Sequence, residues 1–147
     1  MNIINFLQLT ENIASSGQPC ETEFIRIKDL GYSTMINLAL TSSDNAIVNE
    51  GDIVTELGLS YVHIPIQWQK PTLEQFQLFA AVMQQQNQRK VWVHCAFNMR
   101  VSVFLYLYST FYLSTPEETA LQKLNQVWQP NDIWSQFIID VNNSYKD

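Results

Sequence analysis

The amino-acid sequence predicts an α/β fold with a central, mainly parallel sheet of about four to five strands and helices on both faces. The main observation is an alternation of short apolar runs, rich in β-branched and aromatic residues, with longer segments of helical periodicity. Helix-end signals separate these segments. A chain of this length can bury about 68 to 70% of its unfolded surface, so we expect a single domain over residues 1–147.

Two helix-strand units of the same form occupy the first half of the chain. The first helix ends at Gly31 and the second at Gly58, because glycine readily adopts the left-handed conformation that follows a helix. Strands over residues 34–38 and 61–65 follow these glycines. The apolar faces of the two helices carry Phe24, Ile27 and Leu30 in the first helix, and Val54 and Leu57 in the second.

A third helix begins at a capping-box pattern, Thr72 to Gln75. A buried strand is predicted next, over residues 90–93. The helix that begins near Arg100 is apolar or aromatic at nearly every position from 101 to 113, which predicts burial on most sides. The apolar face of the third helix carries Leu73, Phe76, Ala80 and Met83.

Two more helices are predicted toward the C-terminus. The segment Thr115 to Glu118 repeats the capping-box pattern, with Pro116 in the first turn. The expected buried positions are Leu121, Leu124 and Trp128 in the first of these helices, and Ile133, Phe137 and Val141 in the second.

The string His94-Cys95-Ala96-Phe97-Asn98-Met99-Arg100 lies between the strand 90–93 and the apolar helix. Free N–H groups at a helix N-terminus favour negative charge, and a nearby cation favours the thiolate form of a cysteine. We therefore predict Cys95 as a nucleophile beneath a bound oxyanion. A lone buried cysteine is often only packing, but a buried arginine five residues further on is costly unless it binds an anion.

The expected anion donors are the backbone N–H groups of the loop and the guanidinium group, which offers paired donors in fixed geometry. The loop has no glycine, so Asn98 is the residue best suited to a left-handed conformation. An ordinary helix N-cap at Asn98 suits the same turn. The donor residues are Ala96, Phe97, Asn98, Met99 and Arg100.

This string resembles the signature of cysteine-dependent phosphatases, which is His-Cys, five residues, Arg, and Ser or Thr. Here four residues separate Cys95 from Arg100, and Ser102 stands one position further on. The shortened form resembles a small bacterial family of phosphatase-like proteins, related to dual-specificity and tyrosine phosphatases, in which a Gly-Gln-Pro segment accompanies the short loop. The segment 17–19 has that sequence.

The resemblance extends over nearly the whole chain. The stretches 36–38 and 61–66 look like the second and third strands of that family. The pairs Pro130-Asn131 and Gln136-Phe137 resemble the Pro-Asn and Gln-Leu positions of dual-specificity phosphatases. The resemblance thus implies a cysteine-phosphatase-like fold.

The implied function is hydrolysis of phosphotyrosine-like or small aryl phosphates through a phosphocysteine on Cys95, without a metal or cofactor. The resemblance also implies that three further residues support the site. His94 would fix the loop by hydrogen-bonding backbone, a satisfied core histidine being the alternative. Ser102 would donate to the thiolate, and Asn131 belongs to the matching C-terminal pair.

The proton donor of such enzymes is an aspartate about thirty residues before the cysteine. That place is residues 66–70, which contain no carboxylate. We therefore expect weak activity, least impaired on aryl phosphates, unless the fold brings Asp44 or Asp132 to the site.

Two other functions stay open. Rhodanese-like sulfurtransferases have a six-residue cysteine loop, and a persulfide on Cys95 would need no acid. A phosphate-binding module without turnover would also retain the loop. Cys20 is a candidate resolving thiol for oxidised Cys95, although it is more often incidental.

The charge pattern limits the partners. The net charge is −6, and the eight basic residues form no stripe, so we expect neither nucleic acid nor a membrane as a partner. A small phosphorylated molecule or a phosphoprotein is expected, with inorganic phosphate or sulfate able to occupy the loop. No signal-peptide pattern is found at the N-terminus, which favours a cytoplasmic protein.

Overall fold

The computed structural model describes residues 2–146 and contains a five-stranded sheet in the order β1-β2-β5-β3-β4. β1 runs antiparallel to β2, and all other neighbouring strands are parallel. This arrangement confirms the predicted α/β class. The strands are β1 (Leu7–Gln8), β2 (Ile13–Ser16), β3 (Thr34–Asn37), β4 (Ser60–His63) and β5 (Val91–His94).

Within residues 2–146, six helices cover the two faces of the sheet. Residues of α1 and α2 pack with Trp92 on one face, and those of α3 to α6 pack with Val91 and Val93 on the other. The side chains alternate in this way because successive residues of a strand point to opposite faces. The helices are α1 (Glu21–Asp29), α2 (Glu50–Glu56), α3 (Leu73–Gln84), α4 (Met99–Tyr112), α5 (Glu117–Val127) and α6 (Asp132–Lys146).

Most of the predicted helix ends are confirmed. Gly31 and Gly58 have φ angles of +95° and +96°, so both follow their helices in the left-handed region that glycine tolerates. Thr72 caps α3, where its Oγ1 accepts from the N–H of Gln75 and its own N–H donates to the Gln75 side chain. Residues 100–109 of α4 are all buried, as the apolar sequence predicts.

Three details of the last two helices differ from the prediction. α5 has Pro116 as its cap residue and no side-chain cap, so the capping box expected at Thr115 is wrong. Leu121 is 42% exposed and Ile133 is 37% exposed. Ala120 and Trp134, each one position away, are buried in their place, whereas the other expected positions Leu124, Phe137 and Val141 are buried as predicted.

The N-terminal hairpin of β1 and β2 was not among the predicted strands, since β1 is only two residues long. Within residues 2–146, no helix combines the length and the hydrophobicity that a bilayer-spanning segment requires.

Candidate active site

The predicted cysteine motif lies at the carboxyl end of β5, which is flanked by β2 and β3. We call residues 95–100 the cysteine loop; α4 begins within it, at Met99. Cys95 is fully buried, and its N–H donates to the carbonyl of Ser16 over 3.4 Å. Cys95 therefore lies just before the N-terminus of a long helix, where free N–H groups favour an anion.

The carbonyl groups of Ala96 and Phe97, in the middle of the cysteine loop, are held by residues outside the loop. The carbonyl of Ala96 accepts from the N–H of Gln18 and from Nδ2 of Asn45, each at 3.0 Å. The carbonyl of Phe97 accepts from Nδ2 of Asn5 at 2.9 Å. No cis peptide occurs among the described residues, so the N–H that follows each carbonyl points to the opposite side. The N–H groups of the cysteine loop that follow these two carbonyls therefore point away from Gln18, Asn45 and Asn5.

The N–H groups of the cysteine loop remain available for a ligand. Among residues 2–146, those of Ala96, Phe97, Met99 and Arg100 have no acceptor in the protein. Those of Met99 and Arg100 belong to the first turn of α4, whose N–H groups have no partner within the helix. A cluster of unpaired N–H groups at a helix N-terminus is the arrangement that binds an oxyanion.

The segment before α1 packs closely against the cysteine loop because Gly17 has no side chain. A Cβ atom on this residue would lie 2.6 Å from the carbonyl oxygen of Ala96 and 3.0 Å from the Cα of Phe97. Only glycine fits there without a shift of backbone. The Gly-Gln-Pro segment thus supports the cysteine loop directly.

Asn98 has the left-handed conformation that the sequence predicts, with φ of +69° and ψ of 1°. It occupies the cap position of α4, but its side chain caps no N–H group. Its Nδ2 instead donates to the carbonyl of Asn5 at 2.8 Å and to Oγ of Ser15 at 3.1 Å. The side chain therefore fastens the turn to the N-terminal hairpin.

Arg100 is 8% exposed, and among the described residues its Nε has no hydrogen-bond partner and no carboxylate pairs with it. The guanidinium lies over the ring of Trp68, 5.5 Å from the centroid. Trp68 is held in turn by Trp134, whose Nε1 donates to the Trp68 carbonyl at 2.9 Å. The ring orients the cation without neutralising it, so the charge stays available to an anion.

His94 forms a buried ion pair that the sequence did not reveal. Its Nε2 lies 2.7 Å from Oε2 of Glu50, and its Nδ1 lies 3.2 Å from the carbonyl of Cys95. Both partners are hydrogen-bond acceptors, and His94 is fully buried between them. Glu50 also accepts from Nε2 of Gln18 at 2.7 Å. The bond to the Cys95 carbonyl is the backbone contact expected of His94.

The charge of this pair is stabilised inside the protein. Burial alone would raise the pKa of Glu50, but the hydrogen bond and charge of His94, with smaller help from Gln18 and Tyr61, hold that pKa below its usual range. Burial, together with the nearby Glu50 carboxylate, raises the pKa of Tyr61. Glu50 therefore stays ionised and links α2 to the base of the cysteine loop.

A cleft of about 460 Å³ opens above Cys95 and Arg100. Trp68, Phe97 and Met99 line it and give it apolar surface. The β3–α2 loop, residues 38–49, also lines the cleft, with residues 40 and 42–45. Asp44 is among them, whereas Asp132 is not.

Two predicted supporting residues do not reach the cysteine. The hydroxyl of Ser102 donates to the carbonyl of Met99 at 2.8 Å and accepts from Trp128, so its expected bond to the thiolate is wrong. The extra residue between Arg100 and Ser102 turns the hydroxyl back onto its own helix. Asn131 lies before α6, where its Oδ1 accepts from the N–H of Trp134 at 3.0 Å. It thereby holds the helix whose Trp134 supports Trp68.

Comparison with known proteins identifies the family. Residues 8–125 match the family model described as DSP-PTPase phosphatase fused to NAD+ Kinase. The chain belongs to this DSP-PTPase family. A protein of Shewanella putrefaciens CN-32, named "Putative phosphatase (DUF442)", is 34% identical, with a TM-score of 0.88 and with 98% of this chain and 95% of that chain covered. No curated protein gives a significant match.

More distant structures share the fold of the DSP-PTPase chain. Tk-PTP in its active form is 17% identical, with a TM-score of 0.75 and 95% of each chain covered. Pseudomonas aeruginosa TpbA is 14% identical, with a TM-score of 0.76 and 95% of this chain and 88% of that chain covered. The fold is therefore that of the tyrosine-phosphatase class, as the resemblance implied.

Proposed function

We propose that the protein is a cysteine-dependent phosphatase that hydrolyses phosphomonoesters through a phosphocysteine on Cys95. The observation that supports this most strongly is the cysteine loop, in which unpaired N–H groups and the unneutralised guanidinium of Arg100 surround a buried thiol. This combination matches a phosphoryl group, which carries three oxygens that need donors and a phosphorus atom that needs a nucleophile.

The first step forms the bond between sulfur and phosphorus. The thiolate of Cys95 attacks the phosphorus in line with the ester oxygen, and the electrons of the breaking P–O bond leave with that oxygen. The loop N–H groups and Arg100 stabilise the charge on the three remaining oxygens. In the second step, water attacks the phosphocysteine, the P–S bond breaks, and inorganic phosphate leaves with the thiolate regenerated.

The proposed substrates are phosphotyrosine-like or small aryl phosphates. Phe97 is 49% exposed at the mouth of the cleft, and Trp68 and Met99 line it, so an aromatic leaving group finds apolar surface there. The net charge of −6 disfavours long polyanions. Among the distant structures, TpbA has been solved with its cysteine replaced and in complex with pTyr.

The alternatives are a sulfurtransferase with a Cys95 persulfide and a phosphate-binding module without turnover. We would measure aryl phosphate hydrolysis, thiosulfate-to-cyanide sulfur transfer and phosphate binding on the native protein, on Cys95→Ser and on Cys20→Ser. Cys20 is exposed at the start of α1, so its variant is the matched control.

The proposal requires hydrolysis that Cys95→Ser abolishes and Cys20→Ser retains. Sulfur transfer without hydrolysis would assign the first alternative, and phosphate binding without either reaction would assign the second. Either result would overturn the proposed phosphatase.

A further inference from the structure

The reaction proposed above needs a proton for the departing oxygen, and the usual segment, residues 66–70, has no carboxylate. Residues 66–70 supply Trp68 to the cleft, where its ring lies over Arg100. Gln67 and Gln69, the polar neutral residues of this segment, cannot donate a proton as an acid. Lys70, the one residue of this segment that carries an acidic proton, does not line the cleft. A general acid is therefore expected from another part of the cleft lining.

We propose that Asp44, on the β3–α2 loop, is the general acid of this site. Asp44 lines the same cleft as Cys95 and Arg100, and among the described residues it is the only carboxylate that does. Asp44 therefore borders the cleft into which a phosphate held by the cysteine loop would place its leaving group. The proposal rests on the proposed phosphatase function.

The topology of the sheet brings this loop to the site. β3 is the neighbour of β5 in a parallel arrangement, so the loops that follow the two strands meet at one edge. The N–H of Leu38 donates to the carbonyl of His94 at 2.9 Å, directly beside the cysteine loop. The sequence separates Asp44 from Cys95 widely, but the sheet places them at one opening.

Asn45 fixes the position of its neighbour relative to the cysteine loop. Its Nδ2 donates to the Ala96 carbonyl at 3.0 Å. The β3–α2 loop is also folded on itself, since the N–H of Ala46 donates to the carbonyl of Ser43 at 3.0 Å. Asp44 therefore lies between Ser43, which is held by this turn, and Asn45, which is held by the cysteine loop. The side chain of Asp44 is exposed.

The other acidic candidates have different positions. Glu50 lies near the loop but is buried and paired with His94 and Gln18, and its pKa is held below the usual range, so it does not serve as a proton donor. Asp132 opens α6 and does not line the cleft.

The proposed acid completes a balanced cycle. When the P–O bond breaks, the leaving oxygen keeps the electron pair and takes the proton of the Asp44 carboxyl group, so an alcohol or phenol departs. The Asp44 carboxylate then accepts a proton from the water that attacks the phosphocysteine. Inorganic phosphate, the Cys95 thiolate and the protonated Asp44 are restored. With Asp44 as the acid, the protein would not have the weak activity that the lack of a carboxylate in residues 66–70 predicts.

The test compares leaving groups on the native protein, Asp44→Asn, Asp44→Glu and the control Asp52→Asn, which removes an exposed carboxylate on α2. We would measure kcat/KM for nitrophenyl phosphate, phenyl phosphate and an alkyl phosphate. Asp44→Asn should lose roughly a hundredfold to ten-thousandfold on the alkyl phosphate, and far less on nitrophenyl phosphate, whose leaving group needs no proton. Asp44→Glu should recover part of the loss, and Asp52→Asn should behave as native.

The outcomes separate the two proposals. Equal losses on all three substrates, or none, in a protein whose hydrolysis still requires Cys95 would overturn the assignment of Asp44 and leave the phosphatase standing. A native protein that hydrolyses none of the three would overturn both. Phosphate binding by calorimetry should be unchanged in Asp44→Asn, which shows that the variant is folded with an intact cysteine loop.

Discussion

Removal of the Glu50 carboxylate tests the buried pair beneath the cysteine loop. In Glu50→Ala, Nε2 of His94 loses its acceptor at 2.7 Å, and Nε2 of Gln18 loses an acceptor at the same distance. Breaking a buried pair by removing one partner costs about 3–5 kcal/mol. With a urea m-value of about 2 kcal/mol/M, a loss of about 4 kcal/mol lowers the unfolding midpoint by about 2 M at pH 7.

The same variant has a predictable pH dependence. The folded pKa of Glu50 lies below its ordinary value of 4.5, so the native protein has the full stabilisation above pH 4.5 and loses it as the pH falls through the lower folded value. The difference in unfolding free energy between the native protein and Glu50→Ala should therefore shrink as the pH falls from 4.5 through the lower folded pKa. Asp52→Asn, on the same helix, should change stability by less than about 0.5 kcal/mol. A loss below about 1 kcal/mol at pH 7, or a difference that does not change with pH, would refute this reasoning.

Two further variants test the anion site. Arg100→Lys keeps the charge but loses the planar fork over Trp68, so calorimetry should show at least about tenfold weaker phosphate binding, and equal affinity would disprove the paired-donor role. Gly17→Ala places a Cβ 2.6 Å from the Ala96 carbonyl, so we expect a loss of about 1–3 kcal/mol in thermal unfolding and a lower kcat. An alanine variant with native stability and kcat would show that the segment before α1 does not constrain the cysteine loop.

The parts of the site that follow from neighbouring residues could be predicted from the sequence. The strand-to-helix junction at Cys95, the left-handed turn at Asn98 and the glycine helix ends all depend on local backbone preferences. Such preferences are readable within a few positions of the residue concerned, because they arise from steric and periodic effects.

The parts that depend on distant segments could not be predicted in the same way. Glu50 and His94 are 44 residues apart, and no spacing rule connects a first-turn glutamate of one helix with a histidine at the end of a later strand. The contact of Asn5 with the carbonyl of Phe97 spans 92 residues and arises from a hairpin too short to be recognised. From the sequence, Asp44 is a candidate proton donor only because residues 66–70 contain no carboxylate. The order of the strands in the sheet brings it to the cleft.

The most direct test of the central claim is mass spectrometry of the protein quenched during turnover of an aryl phosphate with a good leaving group. The proposed mechanism predicts one added phosphoryl group on the peptide that contains Cys95, and none on the peptide that contains Cys20. The adduct should be absent in Cys95→Ser and should accumulate in Asp44→Asn, because the second step then lacks its base. Turnover in which no adduct forms on Cys95, or turnover that persists in Cys95→Ser, would contradict the account.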